Sequence, residues 1–167
     1  AKAAGAKVVV NVAPSTDAGK ISKDTYDAID FLIVNEHELK DVYVAVGKFD
    51  NLMRFREPPL HTMAKYVCMR TKSAVVVTCG ADGARLYRPM DSTEGSNACG
   101  IFHVHAAELE DGEAIVDTVG AGDAFVGAFV AGVAGGQPLV VCMMKASTAG
   151  TLACTKAGAQ GGTPSAD

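Results

Sequence analysis

Two hydrophobic rhythms alternate along the chain. Short apolar, β-branched runs at residues 7–12 (KVVVNV), 31–34 (FLIV) and 74–78 (AVVVT) read as buried strands. Between them the apolar positions recur at helical spacing. Leu39, Val42, Tyr43 and Val46 follow i, i+3, i+4, i+7 and predict an amphipathic helix that Gly47 stops. Leu60, Met63, Ala64, Val67 and Cys68 repeat that spacing after Pro58 and Pro59 and predict another. A shorter helix is expected at 22–28, after a Pro-Ser-Thr-Asp turn.

Further on, CGADG (79–83) turns the chain and ARLY (84–87) leads it back out. Residues 88–100 are polar and contain glycine, which predicts loop. IFHVH (101–105) alternates and reads as a half-exposed strand, with AIV (114–116) as one more. Residues 124–136 carry no charge, so the helix expected there should be buried on most sides. A last helix spans about 138–155, and the Gly-rich end, KAGAQGGTPSAD, reads as loop. Strands alternating with helices predict an α/β domain with an open, largely parallel sheet flanked by helices. No repeat or linker divides it. The opening AKAAGAK looks like the tail of a helix running straight into a strand, so a longer gene product is expected.

The 167 residues suffice for one cored domain. A composition 49% hydrophobic and 20% charged argues against disorder. The net charge of −4, without a basic run, argues against nucleic acid or an anionic membrane as partner, and the lack of Trp against base stacking. The five cysteines are odd in number and form no Cys-x-x-Cys pair, which suggests neither a disulfide framework nor a zinc knuckle. Cys79, Cys142 and Cys154 lie in apolar contexts, as buried thiols of a reducing compartment do, and no signal peptide or long apolar span is visible. A cytoplasmic protein is expected. His103 and His105 lack a third ligand at metal spacing and read as sheet or surface residues.

One stretch breaks this ordinary picture. DTVGAGDAFVGAFV (117–130) places two acids and three glycines at the mouth of the uncharged helix. A helix N-terminus has unpaired N–H groups and the positive end of the dipole, and Gly120, Ala121 and Gly122 leave those groups uncovered. That combination makes an anion site, with Asp123 in the first turn beside it. The simpler alternative is that Asp123 complements the dipole, the glycines allow close packing and Asp117 is a turn residue.

The pattern is longer than that alternative requires. Asp117, Thr118, Gly120, Ala121, Gly122, Asp123, Gly127 and Ala128 closely resemble the signature of the ribokinase-like, PfkB-type carbohydrate kinases. Supporting motifs occur in the family's order: NVAPS after the first strand, NEHE after the second, TCGADG after the third and KAGAQ near the end. NVAPS and GAQ look most like the ribokinase branch, while adenosine kinases and keto-sugar-acid kinases share the signature. The resemblance covers nearly the whole chain but only the C-terminal half of the family's domain. It therefore implies that 1–167 is the C-terminal part of a single ribokinase-like kinase domain, without the N-terminal sugar-binding half and lid.

By this resemblance the chain would belong to an ATP-dependent phosphotransferase acting on a sugar hydroxyl, ribose first among the candidates. The family's pattern would make Asp123 the acceptor of the hydroxyl proton, and the N–H groups of Gly120, Ala121, Gly122 and Asp123 would hold the transferring γ-phosphoryl group. Phosphoryl transfer needs such positioning and charge neutralisation. Asn35 and Glu38 of NEHE would, by the same likeness, act near the triphosphate, Glu38 reaching Mg²⁺ through water, as suits an ion that dehydrates reluctantly. A helix capping box explains the same two residues without function. Thr78, Gly80, Ala81, Asp82 and Gly83 would line the ATP site, where a tight turn is the alternative. Ser147 falls where the family has an adenine contact. The resemblance also implies that Asp117 with the carbonyls of Val119, Ala153, Lys156 and Gly158 would hold K⁺, although Gly162 stands where a hydroxyl ligand is expected, with Thr163 or Ser165 as substitutes. The partners implied are ATP and a small sugar, and a homodimer is an assembly the resemblance allows for the full-length protein. A non-catalytic nucleotide-binding module is the rival from another class, disfavoured by the intact Gly120–Asp123 stretch.

Overall fold

The computed structural model describes residues 2–49, 58–90, 99–110, 112–159 and 162. Five strands form one sheet in the order β1 (Val9–Asn11), β2 (Phe31–Asn35), β3 (Ala74–Thr78), β4 (Ala84–Pro89) and β5 (Cys99–Val104). The helices are α1 (Lys23–Ala28), α2 (Glu36–Lys48), α3 (Leu60–Thr71), α4 (Ala121–Ala134) and α5 (Leu139–Ala153). β1, β2 and β3 are parallel. The connection from β3 to β4 is too short for a parallel crossover, so β4 returns antiparallel. The chain divides into two compact units, residues 1–79 with 85–102, and residues 80–84 with 103–167.

In the first unit the register aligns Leu32 with Val75 and Val34 with Val77. Side chains two apart on paired strands share a face. These four join Leu39, Val42 and Val46 of α2 and Val67 and Cys68 of α3 in one core cluster, completed by Tyr26, Ile29 and Tyr87. The helical spacing of the apolar residues is what brings α2 and α3 onto this face. Tyr26 is fully buried and its hydroxyl donates to the Ala18 carbonyl, while burial pushes its pKa up to about 12.

The second unit is built on the α4–α5 pair. Small residues let the two helices touch. A Cβ on Gly132 would stand 2.8 Å from Cys142 Sγ, and one on Gly150 3.2 Å from the Ala121 carbonyl oxygen.

Five sequence expectations change. β1 is shorter than 7–12 and half-buried, because among the described residues it stands at the sheet edge beside β2 alone. Gly47 does not stop α2. It keeps helical geometry, and the end comes at Phe49, whose N–H bonds back to Gly47 and Val46. Residues 88–100 are not all loop, since β4 runs to Pro89 and β5 starts at Cys99, with 91–98 outside the described residues. Residues 114–116 form no strand. Ile115 and Val116 are exposed, and the Val116 and Asp117 N–H groups instead donate to the Cys154 carbonyl, at 2.8 and 3.2 Å. Finally, α4 is buried along one stripe, Phe125, Phe129 and Gly132, and Val130 is exposed. A chargeless sequence shows that a helix tolerates burial, not how many of its sides are covered.

Candidate active site

In the first unit the candidate residues gather at the C-terminal ends of parallel strands, the usual ligand edge of an open α/β sheet. Asn35 ends β2 and is in register with Thr78, which ends β3 and lies 3.5 Å through its hydroxyl from the Val34 carbonyl. Asn35 caps α2. Its Oδ1 accepts from the His37 and Glu38 N–H groups, each at 2.9 Å, and Glu38 Oε2 accepts from the Asn35 N–H at 2.7 Å. The capping box is thus complete. It fixes the Glu38 carboxylate at an exposed strand end with one oxygen engaged by the backbone, a geometry that leaves the other oxygen for a water of a hydrated Mg²⁺.

The second unit holds the glycine turn and the helix mouth. Gly80–Asp82 is a single 3₁₀ turn closed by the Gly83 N–H on the Gly80 carbonyl. Ala81 and Asp82 are exposed on it. Gly83 has φ +86° and passes so close to β5 that a Cβ would fall 2.1 Å from the Val104 carbonyl oxygen. His103, from the same strand, places Nε2 2.7 Å from the Asp82 carbonyl. A carbonyl only accepts, so His103 donates from Nε2 and ties the turn to the strand. Its ring meets His105 edge-on at 4.5 Å. Among the described residues no cluster of three metal-ligating side chains occurs. Ser147 is buried within α5, where its hydroxyl donates to the His105 carbonyl at 2.8 Å. Sequence reasoning missed the role of His103. The bond joins residues 21 apart in the chain, which no local pattern reveals.

At the start of α4, Gly120 takes the N-cap position at φ +84° with no side-chain cap, so the first turn keeps its N–H groups free of side-chain acceptors. Gly120 is pinned, since a Cβ there would meet Ala159 Cα at 2.9 Å. Gly122 faces open space and Asp123 is exposed beside it. This uncapped positive helix end with room above it fits a phosphoryl-sized anion. Asp117 organises the neighbouring loop. Its Oδ1 accepts from the Val119 N–H at 3.0 Å and its Oδ2 from the Gly158 N–H at 2.9 Å, and these bonds hold its carboxyl below the ordinary 3.8. Of the positions expected around K⁺, this second bond brings Asp117 and Gly158 together. Gly162 packs on the Ala153 carbonyl, where even a Cβ would stand at 2.2 Å, and its N–H takes the Gly158 carbonyl at 3.3 Å. Thr163 and Ser165 lie outside the described residues.

Comparison with known proteins decides the family. The family model described as pfkB family carbohydrate kinase matches residues 1–166. The chain belongs to this family. A ribokinase of Schizosaccharomyces pombe is 29% identical over 161 residues, covering 96% of this chain and 45% of the relative. A ribokinase of Lactococcus lactis is 28% identical over 158 residues, covering 95% and 42%. Among solved structures, the ribokinase of Cryptococcus neoformans in complex with ADP superposes with a TM-score of 0.71 at 26% identity, covering 97% of this chain and 51% of that one. The chain therefore spans about half the length of the relatives it matches. The match confirms the α/β fold expected from the alternating rhythms. Within the pfkB family frame, the helix mouth at Gly120–Asp123 and the strand ends at Asn35 and Thr78 are the candidate sites for chemistry.

Proposed function

We propose that this chain is the C-terminal, nucleotide-binding part of an ATP-dependent sugar kinase, and that the acceptor is ribose. The observation that carries the reading is the uncapped end of α4. A glycine N-cap, open space at Gly122 and an exposed carboxylate at Asp123 stand together at one helix mouth. The similarity to proteins named ribokinase supports ribose, and the ADP complex of the fungal structure supports the nucleotide.

In this reading the N–H groups at the mouth of α4 hold the γ-phosphoryl oxygens and offset the charge that builds on them during transfer. Asp123 accepts the proton of the attacking sugar hydroxyl. The Asp82 turn, fastened to β5 by Gly83 and His103, borders the nucleotide. Glu38 holds a water of Mg²⁺, and the ion, when bound, neutralises charge on the phosphates. K⁺, when bound, would be held by Asp117 and the carbonyls of Val119, Ala153, Lys156 and Gly158, and no step is routed through it.

The test uses the full-length chain and follows ribose-dependent ADP formation. Asp123→Asn should lower turnover ~10²–10⁴-fold, the usual cost of losing a general base, and leave ATP affinity unchanged. Near wild-type turnover would remove Asp123 from this role, and turnover with another sugar or a nucleoside in place of ribose would reassign the acceptor.

A further inference from the structure

The first unit contains a second piece of chemistry, remote in kind from phosphoryl transfer. Cys68 lies fully buried on the core face of α3, and Cys99 opens β5, half-buried. Their sulfurs stand 3.6 Å apart. A disulfide bond needs about 2.0 Å, so the two thiols are in van der Waals contact and short of a bond by less than the swing of a side chain. We propose that Cys68 and Cys99 form a reversible oxidation site that a hydroperoxide converts to a disulfide.

The two sulfurs have different parts. Burial, reinforced by the neighbouring Cys99, pushes the Cys68 thiol up and keeps it protonated. Oxidant therefore enters at the more accessible Cys99. Its thiolate attacks one oxygen of the hydroperoxide, the O–O bond breaks and the other oxygen leaves as an alcohol, or as water when the oxidant is hydrogen peroxide. Cys99 becomes a sulfenic acid. The Cys68 proton then passes to the sulfenic oxygen as the Cys68 sulfur attacks that of Cys99, the S–S bond forms, and the oxygen leaves as water. Two electrons pass from the sulfurs to the peroxide. The product staples α3 to the start of β5, and a small thiol reductant reverses it. Neither residue belongs to the strand ends or the helix mouth described above, so the proposal stands apart from the kinase reading.

The experiment treats the native full-length protein with a few equivalents of hydrogen peroxide, blocks remaining thiols with an alkylating agent, and maps the peptides by mass spectrometry. A Cys68–Cys99 cross-link that dithiothreitol removes is the expected result. Cys99→Ala should abolish it and Cys79→Ala should leave it. The wild-type map requires no variant, so a poorly folding mutant cannot obscure the answer. The proposal is overturned if Cys68 and Cys99 stay alkylatable while other cysteines oxidise, if Cys99 bonds to Cys79 instead, or if Cys99 runs on to sulfinic acid with Cys68 still reduced.

Discussion

Replacing Gly83 with alanine isolates how much the turn at 80–83 depends on contact with β5. Two penalties act at this position. Its φ of +86° is one an alanine resists, at about 1–2 kcal/mol. The added Cβ would also meet backbone, 2.1 Å from the Val104 carbonyl oxygen and 2.6 Å from both Ala106 N and His105 C. Backbone cannot rotate aside as a side-chain end can, so this overlap belongs with overpacking, about 1–3 kcal/mol. The sum is about 2–5 kcal/mol. Gly80 supplies the control from the same turn. It also has positive φ, +54°, but nothing lies within 4 Å of its Cβ position, so alanine there should cost only the conformational part. Urea unfolding of the two variants, at unchanged m, measures the difference directly. Gly83→Ala should be less stable than Gly80→Ala by about 1–3 kcal/mol. Equal stabilities would show that the turn lifts off β5 at no cost and refute the steric argument.

Two further outcomes rest on the site geometry. Glu38→Gln preserves a side-chain acceptor for the Asn35 N–H and removes the charge, so stability should fall by no more than about 1 kcal/mol, the cost of losing an acid at the helix N-terminus, while the Mg²⁺ concentration needed for half-maximal activity rises; an unchanged Mg²⁺ dependence would leave Glu38 as a cap alone. Because the Asp117 carboxyl is held below 3.8, chiefly by the Val119 N–H, the loop ties it makes are complete above that pH and are lost as pH falls through the depressed folded value. The Gly158 amide resonance should report that transition, and a midpoint at or above 3.8 would contradict the two-bond geometry.

The periodic part of the fold is legible in the sequence. α2 and α3 declare themselves because a core face imposes a period of 3.6 on the residues that line it, and β2 and β3 because strands buried at four consecutive positions read as short unbroken apolar runs. The run at 114–116 looks the same as a strand over three residues, yet strand identity depends on a partner that a short run cannot specify. The Asn35–Glu38 box is readable because both partners lie within one helical turn. The Ser147–His105 and His103–Asp82 bonds are not, since each joins segments far apart in the chain. Likewise the sequence displays Gly83 and Gly162 as turn glycines, whereas their structural demand comes from β5 and from the end of α5.

Gly122 and Gly127 share α4, and at both a methyl group would meet only open space. Helix propensity alone favours alanine over glycine by up to about 1 kcal/mol at such positions. A population of variants selected only for surviving heat would therefore accept alanine at both. Selected for turnover, it should accept alanine at 127 and refuse it at 122, where the methyl group would occupy the space the proposed phosphoryl group needs. The bare first turn of α4 is thus a place where robustness and activity pull in opposite directions, and the glycine that remains there marks which of the two has been kept.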